Sequence, residues 1–124
     1  MKVIDTASFQ NLLLRGGFTI VRLELRDEPL VDAIGREAIA KTSIVSKRFE
    51  ILIRTPLSEE ELSITLYHEI LEAMTVGSRQ PPASVVQFNE GNFEAAARQA
   101  HEQLGPASPE NLDRMLQTYG FSEE

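Results

Sequence analysis

The chain has 124 residues and a formal net charge of -7, from 19 acidic and 12 basic side chains, with 42% hydrophobic and 25% charged residues. This is the composition of one globular domain spanning 1–124, large enough to bury a core without covalent staples. The acidic balance argues against binding nucleic acid, whose phosphates are held by clustered Lys and Arg. Cys is absent, which removes disulfides, thiolate metal centres and cysteine nucleophiles together. No apolar run is long enough to span a membrane. The start of the chain lacks the charged, apolar and small-residue pattern of a secretion signal, so a cytoplasmic protein is expected. A monomer or small homo-oligomer with a protein or peptide partner is the matching expectation. Any metal must be held by His, Glu and Asp, and the only histidines are His68 and His101.

In chain order, Thr6-Ala7-Ser8 predicts the cap of a brief helix through Phe9 and Leu12-Leu13-Leu14, stopped by Gly16-Gly17. From Ile20, the stretch Phe18 to Arg26 alternates apolar and polar residues, the mark of a strand with one buried face. Arg36 to Arg54 is rich in β-branched and aromatic residues, with Ser46-Lys47-Arg48 as a turn, and predicts a hairpin. Ser58-Glu59-Glu60-Glu61 is a capping box, with Ser58 as N-cap and Glu61 at the third helical position. The helix it starts should run from Glu59 to about Val76 and stop at Gly77. Pro81-Pro82 marks a connector with a short turn at Ser84-Val85-Val86. A second helix is expected from Phe93 to Leu104, capped by Asn92, with Phe93, Ala96, Ala97, Ala100 and Leu104 on its core face. Ser108-Pro109 starts a last short helix carrying Leu112, Met115 and Leu116. The tail Ser122-Glu123-Glu124 reads as a frayed end. The fold class is α+β: a small antiparallel or mixed sheet packed against a central helix, with the two C-terminal helices covering the other side.

The central helix is the informative element. At 100 degrees per residue, Leu62, Leu66, Ile70, Ala73 and Met74 share one wide face, and His68 and Glu72 fall roughly opposite, about 40 degrees apart. Ile64 and Leu71 flank that pair, so the helix is apolar nearly all round and should be buried. No Lys or Arg occurs between Arg54 and Arg79 to pair with Glu69 or Glu72. A buried carboxylate without a countercharge pairs, binds a metal or takes a proton. An imidazole and a carboxylate at i and i+4 can both reach one zinc, manganese or iron ion. Glu69 beside them can serve as general base toward water. The same spacing also suits a plain hydrogen-bonded His68–Glu72 pair.

The segment Tyr67-His68-Glu69-Ile70-Leu71-Glu72-Ala73 resembles the active-site helix of zincin-like metallopeptidases, in particular the minimal zincin-like proteins of bacteria and phages. The resemblance covers roughly residues 48–74, including the preceding strand and the Ser-capped acidic helix start. It implies a zincin-like fold, with His68 as first metal ligand, Glu69 as general base, and Glu72 in the place of the second His of the family pattern. Pro81-Pro82 is followed by Ala83 and Ser84, so the site where some similar small proteins carry a further His holds none. A third ligand must come from Glu90, Glu94 or His101. Glu94 and His101 lie two turns apart and flank the apolar face of the second helix, while Arg98 offers Glu94 an ordinary surface pair. Two functions follow from this: a small metal-dependent hydrolase or relic of one, with zinc, manganese or iron, and a non-catalytic interaction or regulatory protein that kept the scaffold without the metal.

Overall fold

The computed structural model describes residues 4–31 and 34–121; the tail Ser122-Glu123-Glu124 lies outside them. The strands are β1 (Leu12–Leu13), β2 (Thr19–Arg26), β3 (Leu30–Val31), β4 (Glu37–Ala38), β5 (Ala40–Val45) and β6 (Arg48–Arg54). The helices are α1 (Glu59–Gly77), α2 (Glu90–Leu104) and α3 (Pro109–Thr118). The main sheet has four strands in the order β1-β2-β6-β5, and β3 and β4 form a two-stranded sheet beside it. β2 runs parallel to β6, and β5 antiparallel to β6, so the sheet is mixed. The class is α+β.

The alternation in the sequence decides which face of the sheet is buried. Ile20 and Leu23 of β2 and Phe49, Ile51 and Ile53 of β6 point into the core. The opposite face stays wet and carries paired charges: Arg22 contacts Glu50 at 3.0 Å and Glu24 at 3.5 Å. α1 lies on the buried face. Its capping box forms as expected, with the Ser58 hydroxyl accepting from Glu61 N at 3.1 Å. Because α1 meets the sheet on one side and α2 and α3 on the other, it is buried nearly all round: Leu62, Ile64, Leu66, Tyr67, Ile70, Leu71, Ala73 and Met74 all belong to the core. The C-terminal helices therefore cover α1, and the charged outer face of the sheet stays open. Among the described residues, no helix is long and apolar enough to cross a membrane.

Two local expectations are corrected. Leu12-Leu13-Leu14 is not helical. A single 3-10 turn at Thr6–Phe9, capped by Asp5, ends at Gln10, and Leu12–Leu13 pairs with β2 instead. The Gln10 amide bonds Leu23 O and N across that junction, at 2.7 and 3.1 Å, and Asn11 turns the chain at a φ of 53°. Second, α2 starts three residues early. Asn89, not Asn92, is the N-cap: its side chain accepts from Asn92 N at 2.8 Å while the Asn92 side chain accepts from Asn89 N at 3.0 Å. This reciprocal cap places Glu90 in the first helical turn.

Candidate metal centre

His68 stands on a half-buried part of α1. It lines a cleft of about 670 Å3 between α1, the start of α2 and the edge strand β5. Both ring nitrogens of His68 meet carboxylates. Nδ1 lies 2.9 Å from Glu94 Oε1. Nε2 lies 3.0 Å from Glu90 Oε2 and 3.4 Å from Glu72 Oε1. Glu94 uses its other oxygen on Arg98 Nε at 3.0 Å, so the pair foreseen with Arg98 and the reach toward α1 coexist. Glu69 points toward β5, where its Oε1 accepts a hydrogen bond from Thr42 Oγ1 at 2.7 Å. One ligand atom each from His68, Glu69 and Glu72 lie within 4.8 Å of one another, a group that can hold a metal ion.

The helical spacing explains the convergence. His68 and Glu72 are one turn apart on α1, and Glu90 and Glu94 are one turn apart on α2. The two helices pack closely because α2 faces α1 with Ala96, Ala97 and Ala100, all buried. Phe93 supports the ring from below, its centroid 6.1 Å from that of His68.

The electrostatics follow from this crowding. Burial opposes charge on His68, but its hydrogen bonds to Glu72 and Glu94, the nearby Glu69 charge and the Glu90 contact outweigh it, and push the imidazole up to about 10. Glu69 is raised, chiefly by burial, against the Thr42 hydrogen bond and the His68 charge. Glu72 is lowered, chiefly by its hydrogen bond to His68. Glu90 is raised, because it faces Glu72 and one proton is best shared between two carboxylates.

The structure thus brings together His68, Glu69, Glu72 and Glu94, and joins Glu90 to them. It does not bring in His101. That side chain turns to Ser63, with Nδ1 2.8 Å from Oγ, and the same oxygen accepts from Ala107 N at 2.9 Å. Ser63 is fully buried where α1 meets the loop before α3, so the His101 bond closes a helix joint. Thr42 was missed by sequence reasoning. Its signal was only its place on the inward-facing alternation of β5, with Ala40 and Ile44. No protein-family model, curated protein or solved structure matches this chain.

Proposed function

We propose that the protein is a small metal-dependent hydrolase acting on peptide bonds, as the zincin-like look of the α1 motif implies. The observation that carries this reading is the convergence on His68 of three carboxylates from two helices, with Glu69 held alongside at the edge strand. The donor set is one imidazole nitrogen and carboxylate oxygens, which suits zinc, manganese or iron. His68 through Nε2, Glu72 and Glu90 would hold the ion. Glu94, on Nδ1 and steadied by Arg98, orients the ring from behind, the usual arrangement around a metal-binding His. The bound ion supplies Lewis acidity, polarising a carbonyl and acidifying water. Glu69 is the proton acceptor, and Thr42 fixes its carboxylate toward the cleft. β5 is the open edge of the sheet, so an extended peptide can lie along it beside Glu69.

A second reading has its own support. The His68 network is complete as it stands, and among the described residues no buried side-chain nitrogen or oxygen lacks a hydrogen-bond partner. That favours a non-catalytic interaction or regulatory protein in which the cluster is a structural joint. Thermal melts with and without zinc or manganese separate the two. The hydrolase reading requires a metal-dependent rise in wild type that is lost in His68→Ala and kept in Glu69→Gln, and peptide cleavage that Glu69→Gln abolishes. No rise in wild type, with either metal, rejects it.

A further inference from the structure

A second cavity of about 700 Å3 opens at the far end of α1, between the Arg15–Gly17 turn, the Ser46-Lys47 turn of the hairpin and Gly120-Phe121. Its size is within the roughly 300–1,000 Å3 typical of small-molecule sites. Its floor is apolar, built from Phe18, Met74 and Phe121, all buried. Among the described residues, two cations line it, Lys47 and Arg79, and no Asp or Glu does. In a chain of net charge -7 that is a local inversion of sign.

Lys47 is held in place: its Nζ donates to Gly16 O at 2.7 Å and sits 5.3 Å from the Phe18 ring centroid. An ammonium has three donors, so this leaves capacity for a ligand. Arg79 pairs with no carboxylate among the described residues. Gly77 lets the cavity wall approach closely, since a Cβ there would lie 3.0 Å from Phe18 Cε1.

We propose that this cavity binds a small organic anion, a carboxylate or phosphate joined to an apolar group, with the charge on Lys47 and Arg79 and the apolar part on Phe18, Met74 and Phe121. Bare inorganic anions would leave the apolar floor unused, and neutral apolar molecules would leave both cations unused. The proposal is independent of the metal reading.

The test is an NMR titration of the full chain, without added metal, using hydrocinnamate, phenyl phosphate and the neutral hydrocinnamamide. The expected result is saturable shifts at the amides of Lys47, Gly77 and Gly120 with at least one of the two anions, and affinity for the amide about tenfold weaker, reflecting lost charge-assisted hydrogen bonds. Whichever anion binds more tightly identifies the headgroup. Arg79→Met should weaken anion binding by about tenfold and leave amide binding unchanged. Lys47→Met should act in the same direction, and if it perturbs the Gly16 turn, Arg79→Met alone carries the test. Both cations would also favour the negative C-terminal end of α1 without any ligand. Absence of shifts at these amides, equal affinity for the acid and the amide, or indifference to Arg79→Met would establish that purely structural role and overturn the proposal.

Discussion

Two cavities of this protein share a helix and differ in sign. Among the described residues, the cleft midway along α1 is lined by Glu37, Glu69, Glu72, Glu90 and Glu94 with no Lys or Arg, whereas the cavity at the end of α1 is lined by Lys47 and Arg79 with no acid. In the cleft the charges satisfy one another: an imidazolium sits among carboxylates, and the shifts of His68, Glu72 and Glu90 trace to their neighbours while that of Glu69 traces chiefly to burial. In the end cavity Lys47 is satisfied by the Gly16 carbonyl and the Phe18 ring. The difference teaches that crowded charge of one sign needs a central counter-ion, here His68 or a metal, while sparse charge over an apolar floor is left to meet a ligand from outside.

Removing the central ring should break the comparison most. A divalent ion at a hundredfold excess over its Kd is expected to raise the wild-type melting temperature by about 10 °C. His68→Ala should erase that rise, checked by differential scanning fluorimetry, while the end cavity keeps its affinity for hydrocinnamate. Next in size, Glu94→Gln should weaken metal binding by about 10- to 100-fold in calorimetric titration, as expected for a residue that orients a ligand. Thr42→Val should leave an oxygen of the buried Glu69 carboxylate unpaired, and cost about 1–3 kcal/mol in urea denaturation. Ser58→Ala removes the N-cap of the helix that carries both cavities. It should cost about 1 kcal/mol, a fall of about 4 °C in melting temperature, with neither site altered. Arg22→Ala, on the open face of the sheet, should change stability by less than about 0.5 kcal/mol in the same measurement, since Arg22 and its nearer partner Glu50 are exposed.

The helix that defines the site was legible because its signals are local. Ser58 and Glu61 are three residues apart and need no other part of the chain to cap α1. The buried alternation of β2 and β6 was legible for the same reason. Leu12-Leu13-Leu14 was not: three leucines suit a helix until a partner strand at Thr19 and Ile20 claims them. The start of α2 turned on the choice between two asparagines, either of which can cap. That choice decides whether Glu90 stands in a loop or in the first turn facing His68. His68, Glu69 and Glu72 could be singled out from spacing and from the absence of basic neighbours. The separate fates of Glu94 and His101, which flank the same apolar stripe, could not. They depend on which level of α1 each one meets, and that is set by the packing of two helices through alanines.

Gly77 has a reach beyond its own turn. A methyl group there would lie 3.0 Å from Phe18 Cε1 and 3.7 Å from Ile44 Cγ2, so the gap between the end of α1 and the sheet is set by a missing side chain. Phe18 belongs to the end cavity and Ile44 to the cleft. An alanine at Gly77 would press on the Phe18 ring and meet Ile44 only at ordinary van der Waals distance, so the wall of the end cavity would have to give by a few tenths of an ångström while the cleft keeps its shape.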